Sequence, residues 1–197
     1  MKKYSIVVFL EDEHAAKIRS IQSKLYEITG SRACLDSWKP HFTVGDGISV
    51  TDEELVIVEN ILEELTGNQS SFDVSLEGFG GLTNRTGGEG EITTPYVLWV
   101  EVIPNDMLSH LVNDVQNKVT SRFTLWYQMP KPYAPHVTVA FRDLSEEGHS
   151  KGKKYLNDLS IKETVKASHI ALVEKLPDTD KEYKRFYFKG ALERLSN

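Results

Sequence analysis

The sequence predicts a mixed α/β (α+β) protein with a bilobal, internally duplicated architecture. Three observations lead there. Strand-like and helix-like stretches alternate along the 197 residues. The same element order occurs in both halves. Two similar segments, "KPHFTVGDGI" at 39–48 and "APHVTVAF" at 134–141, fall on the second strand of each half.

In the first half, "YSIVVFL" (4–10) is rich in β-branched and aromatic residues and reads as a buried strand. Residues 12–29 place Ala15, Ile18, Ile21, Leu25 and Ile28 at helical spacing, with Gly30 as a stop. The first His-Thr segment follows as a strand. Residues 49–65 open with Thr51 and Glu54, a capping-box pattern, and continue as an amphipathic helix. "FDVSLEGFGGL" (72–82) alternates as a strand.

The second half repeats the order. A strand at 96–102 and a helix at 105–119 lead to the second His-Thr strand. A weaker helix at 146–158 is followed by strands at 167–176 and 183–192. The expected arrangement is one bilobal domain, 1–197, with approximate halves 1–90 and 91–197. Two sheets lie side by side about an approximate two-fold, flanking a central cleft, with helices outside. Residues 83–95 form the clearest loop, either a connection or a lid. It lacks the Gly-Lys-Ser/Thr ending of a phosphate loop.

Composition narrows the function classes. Hydrophobic residues make up 40% of the chain, enough for a sizeable core without covalent staples. The single cysteine, Cys34, excludes an internal disulfide and suits a reducing compartment. The apolar run from Ile6 to Leu10 is too short for a signal core, and no stretch approaches the roughly 20 apolar residues of a membrane span. A cytoplasmic monomer is expected. The formal net charge of −6 argues against binding extended duplex nucleic acid and leaves small nucleotides or RNA ends as partners.

Strand geometry gives the repeated segment its meaning. Side chains alternate between faces, so His41 and Thr43 point one way and Phe42 and Val44 the other. His136 and Thr138 likewise share a face, opposite Val137 and Val139. Under a two-fold, two imidazoles and two hydroxyls line one groove. Two neutral imidazoles make a poor catalytic metal site, and there is neither a cysteine cluster nor a His-Glu-x-x-His helix. Nucleophilic attack by threonine would require a base aimed at it. Metal-free phosphodiester chemistry uses every group. One imidazole takes a proton from the attacking oxygen, the other gives one to the leaving oxygen, and the threonines bond the non-bridging oxygens. A pKa near 6.5 lets both protonation states coexist near neutrality. A non-catalytic module holding a phosphorylated nucleotide or RNA terminus with the same side chains is the alternative. A metal-dependent hydrolase is the third reading.

At "HFTV" (41–44) and "HVTV" (136–139) the chain resembles the 2H phosphoesterase superfamily, and within it the 2′-5′ RNA ligase-like and cyclic phosphodiesterase branch. The resemblance implies a bilobed fold with the site in its cleft. It implies hydrolysis or transesterification of 2′,3′-cyclic phosphates or 2′-5′ phosphodiesters, without metal or other cofactor. It carries over His41, Thr43, His136 and Thr138 as functional residues.

Further candidates surround the motifs. Tyr133 either stacks on a base or packs the proline-rich approach loop at 128–135. Trp38 precedes the first motif similarly. Lys131, Lys39, Arg142 and Arg85 are candidate phosphate cations. His14, His110, His149 and His169 lack a companion Thr and read as structural or surface residues, His149 beside a solvated basic segment. Tyr183, Phe186, Tyr187 and Phe188 read as core.

Overall fold

The computed structural model describes residues 1–37, 39–83, 95–129, 131–176 and 179–191. Trp38, Arg85 and most of the 83–95 loop lie outside the described residues. The elements run β1 (Lys2–Phe9), α1 (Asp12–Thr29), α2 (Ala33–Ser37), β2 (His41–Val50), α3 (Asp52–Gly67) and β3 (Phe72–Leu82). Then come β4 (Val97–Ile103), α4 (Asp106–Lys118), a 3-10 turn (Thr120–Arg122), β5 (Thr124–Tyr127) and β6 (His136–Ala140). The chain continues with α5 (Glu146–Asn157), β7 (Lys162–Ala167), β8 (His169–Lys175) and β9 (Asp180–Tyr187).

Local chemistry sets the helix ends. α1 stops where Gly30 adopts φ 77°, a left-handed conformation that costs glycine nothing, and its N–H donates to the Tyr26 carbonyl. α3 starts in a complete capping box: Thr51 Oγ1 accepts from the Glu54 N–H, and the Glu54 carboxylate accepts from the Thr51 N–H. Asn105 and Ser145 cap α4 and α5 with side-chain oxygens that accept from the first turn.

The strands follow the order β7-β3-β4-β6-β2-β1-β8-β9, with β5 added to β2. All these neighbours are antiparallel. Outward from the centre, β2-β1-β8-β9 mirrors β6-β4-β3-β7. These are two four-stranded antiparallel sheets. They meet along β2 and β6 at a single registered pair, Phe42 with Val137. The first and second halves of the sequence exchange strands, since β3 pairs with β4 and β7 while β8 pairs with β1. Helices cross over too: α1 packs on β6 and α4 on β2.

One apolar face of the sheets holds the core. It gathers Tyr4, Ile6, Phe42, Val44, Val100, Val137 and Ile170 from the strands. Ile18 and Leu25 of α1, Leu62 of α3 and Leu111 of α4 close it. Each fully buried aliphatic side chain there contributes about 1.5–3 kcal/mol. No helix of the described residues is long and apolar enough to cross a membrane.

Several elements differ from the sequence reading. The expected strand at 167–176 is β8, starting at His169; β7, ending at Ala167, is an additional strand that buries only Val165 and Ala167 among charged neighbours. α2 and β5, of five and four residues, are too short to show a period. The last strand ends at Tyr187. Phe186 and Phe188 are buried as expected, but Tyr183 is exposed and donates to Glu59, and Tyr187 lies half-buried beside His169. Odd and even positions of β9 face opposite sides, so its aromatics cannot all be core. His149, read as structural or surface beside a solvated segment, is structural: it is buried against Tyr96. It shares the inward face of α5 with Gly152 and Leu156 at helical spacing.

Candidate active site

The registered pair at the seam builds the site. Phe42 and Val137 point into the core, so their flanking residues point to the opposite face. In antiparallel pairing, Phe42 opposite Val137 places His41 opposite Thr138 and Thr43 opposite His136. Directly opposed Cβ atoms lie about 5 Å apart, and diagonal ones about 7–8 Å. The two imidazoles therefore share one diagonal and the two hydroxyls the other, in a square divided by the seam. All four residues are half-buried.

Each imidazole is held in the same way. His41 Nδ1 lies 2.7 Å from the Lys39 carbonyl, and His136 Nδ1 lies 2.8 Å from the Ala134 carbonyl. A carbonyl only accepts, so Nδ1 carries the hydrogen and Nε2 is the nitrogen that exchanges protons. In both motifs the bonded carbonyl belongs to the residue two positions earlier.

The sheet neighbours break this symmetry. Across β1, Phe9 is in register with His41, and the rings meet edge to face at 6.0 Å. Across β4, Glu101 is in register with His136, while the Trp99 indole lies at 5.0 Å and 36° to the imidazole. Burial pulls the His41 imidazole down to about 4; the nearby charges of Lys175 and His136 act in the same direction, and the Lys39 carbonyl opposes them. Trp99 itself lies over Gly80 of β3, where a Cβ would meet indole Cε2 at 2.6 Å. Only glycine permits that approach.

Two side chains anchor the motif backbones from the other half of the chain. The Tyr133 hydroxyl donates to the Thr43 carbonyl at 2.8 Å. Gln22 of α1, almost fully buried, donates through Nε2 to the Thr138 carbonyl at 3.1 Å. Asp46 of β2 fixes the approach loop, accepting from the Met129 N–H and Gln116 Nε2, each at 2.6 Å.

The other candidates stand as follows. Tyr133 is directed at the backbone and packs against the core. Lys131 is exposed on the approach loop. Arg142 follows β6 with φ 64°, its guanidinium 5.0 Å from the Phe141 ring centre. The Lys39 ammonium pairs with Glu182 of β9 at 2.8 Å and lies over the Phe9 ring. Cys34 is buried, which pushes its thiol up to about 12 and makes it inert.

Beside His41 a pocket of about 220 Å³ opens over Val7, Phe9 and Val173, with Lys39, Asp180 and Glu182 on its walls. Arg185 lies close by, paired with both Glu182 and Glu11. His169 lies behind Phe9, fully buried, its imidazole pulled down to about 4 by burial and by Arg185. Sequence reasoning does not single out Phe9, Trp99, Glu101, Gln22 or Glu182. Only strand order brings them to the motifs, and strand order is non-local.

The fold and family of the chain have counterparts among known proteins. A family model described as the 2′-5′ RNA ligase superfamily matches residues 47–179, which include the second motif and begin after the first. No curated protein matches the chain. Among solved structures, TT0787 of Thermus thermophilus aligns with TM-score 0.69 at 20% identity, over 96% of this chain and 99% of that one. E. coli LigT complexed with 3′-AMP aligns with TM-score 0.58 at 20% identity, over 95% and 98%. A crystal structure of a phosphoesterase aligns with TM-score 0.60 at 19% identity, over 95% and 98%. At such identities these structures share the fold. The family match spans well over half of the chain and agrees with the resemblance carried by the paired His-x-Thr segments. The chain belongs to the 2′-5′ RNA ligase superfamily.

Proposed function

We propose that this protein is a metal-independent phosphoesterase that opens 2′,3′-cyclic phosphates or cleaves 2′-5′ phosphodiesters of small nucleotides or RNA ends. The observation that carries this reading is the registered pair Phe42–Val137, which brings the two His-x-Thr segments side by side on the face opposite the core. Phosphorus sits over the square, between the two Nε2 atoms. One imidazole removes a proton from water as its oxygen bonds to phosphorus. The other protonates the ribose oxygen as its bond to phosphorus breaks. The two threonine hydroxyls donate to the non-bridging oxygens, on which negative charge grows.

Ligands of a fold relative support the substrate class. Structures of E. coli LigT contain 3′-AMP and NADP+. Both carry phosphate on adenosine, and 3′-AMP bears it at one of the two positions where ring opening of a 2′,3′-cyclic phosphate can leave it. The pocket beside His41 offers an apolar floor for part of such a ligand.

The test is hydrolysis of 2′,3′-cyclic nucleotides and 2′-5′ dinucleotides in excess chelator. Turnover is expected to persist, and His41→Ala and His136→Ala are each expected to cost on the order of 10²-fold or more. Activity that vanishes with chelation, or a histidine variant with near-normal rate, refutes the mechanism. Tight nucleotide binding without any product would leave a binding module in its place.

A further inference from the structure

The two motifs are alike in sequence and in the carbonyl that holds each ring, yet their surroundings differ. We infer that His41 is the base and His136 the acid in ester hydrolysis, and that Trp99, seated on Gly80, is the positioning residue that holds His136 in its proton-donating form. The inference rests on the phosphoesterase reading above and assigns its two roles.

The groups around each ring carry the argument. His41 has the apolar edge of Phe9 on the β1 side, Thr138 and His136 across the seam, and Lys175 of β8, whose ammonium pairs with Asp180 at 2.5 Å. The nearby Lys39 ammonium is drawn off by Glu182 of β9, and His169 lies beyond Phe9. With both lysines paired to carboxylates, burial beside Phe9 is what chiefly penalises imidazolium and leaves the Nε2 lone pair available to take a proton from water. The direction of the His41 titration agrees.

His136 has Thr43 and His41 across the seam, and from β4 it receives two groups that favour a cation. The Trp99 indole, 5.0 Å away, presents the electron-rich face that attracts an imidazolium. Glu101, in register with His136, adds a negative charge that solvent partly screens. With Nδ1–H donated to the Ala134 carbonyl, a protonated His136 presents its second hydrogen on Nε2. During turnover the Nε2–H bond of His136 breaks toward the departing ribose oxygen, while Nε2 of His41 gains the proton of the attacking water. The next water exchange restores both.

Two measurements test this. The first is a titration of the histidine rings in the intact protein by NMR. His136 is expected to titrate above His41 in the wild type, with the gap narrowed by about one pH unit in Trp99→Leu and by less in Trp99→Phe. A reversed order, or a gap insensitive to Trp99, overturns the assignment whether or not the protein turns over. The second compares a nucleoside 2′,3′-cyclic phosphate with a p-nitrophenyl phosphodiester of the same nucleoside, whose phenolate departs without a proton. His136→Ala is expected to lose on the order of 10²-fold on the cyclic substrate and under about 10-fold on the nitrophenyl ester. His41→Ala is expected to lose heavily on both. The opposite pattern in an active enzyme overturns the assignment. Absence of wild-type turnover on either ester refutes the phosphoesterase reading instead.

Discussion

The Tyr133 hydroxyl donates to the backbone carbonyl of Thr43, so the loop that delivers the second motif is fastened to the strand that carries the first. Gln22 does the reciprocal service for Thr138. Both carbonyls lie at the seam, where a single residue pair stands in register. The hydrogen bonds a longer ladder would supply come here from side chains.

Tyr133→Phe deletes one of these donors at constant shape. It is expected to cost about 1–2 kcal/mol in denaturant unfolding, because a half-buried carbonyl loses its partner. Turnover should fall with little change in KM, since the hydroxyl sets motif spacing and does not touch substrate. A raised KM at unchanged stability would show instead that the ring stacks on a base.

Thr43→Val and Thr138→Val keep the branched strand shape and remove one donor each. Each is expected to lower kcat about 10²-fold, as other single oxyanion donors do. Serine at either position should recover most of the rate. Full activity in either valine variant would remove that hydroxyl from the chemistry.

Gly80→Ala places a methyl group where the Trp99 indole lies. The indole must shift, and its stacking on His136 is disturbed with it. The alkaline limb of the rate profile should move to lower pH while the acid limb stays in place. An unmoved profile would mean that the indole has no part in His136 titration.

Stability should depend on pH through buried imidazoles, with His149 shifted in the same direction as His41 and His169. His41 and His169 both titrate near 4 in the fold, against about 6.5 in the unfolded chain. Below 6.5 the unfolded chain takes up protons that the folded one refuses, so the contribution of these two groups falls as pH drops from about 6.5 to about 4 and changes no further below that. His169→Gln should flatten part of this slope in urea titrations between about pH 7 and 4.5. An unchanged slope would exclude His169 as a contributor.

Much of the site is legible in the sequence because its signal is periodic and short-range. Alternation along "HFTV" and "HVTV" places each His with its Thr on one face, and the strands bear this out. The 72–82 strand, the Gly30 stop and the Thr51 capping box also stand as read. What the sequence hides depends on which strands become neighbours. Trp99 sits in an ordinary alternating strand, and nothing in "YVLWVEV" says that a histidine will stack on it. Gln22 has the spacing of a helix interior and the chemistry of a surface, and only the strand beneath explains its burial. For His149 the sequence leaves a structural or a surface role open, because nearby lysines mask the inward helical stripe to which it belongs.

The exchange of strands also governs how the polypeptide can be divided. A fragment severed in the 83–95 connection would carry β3 without either of its partners, β4 and β7, and β1 without β8. Raw ladder edges would be left open on both pieces. Neither piece should be soluble when produced separately, whereas co-production should let them reassemble around Phe42 and Val137. A chain of half this length would therefore need a second one to complete its sheet, and the covalent link between the halves keeps that pairing permanent.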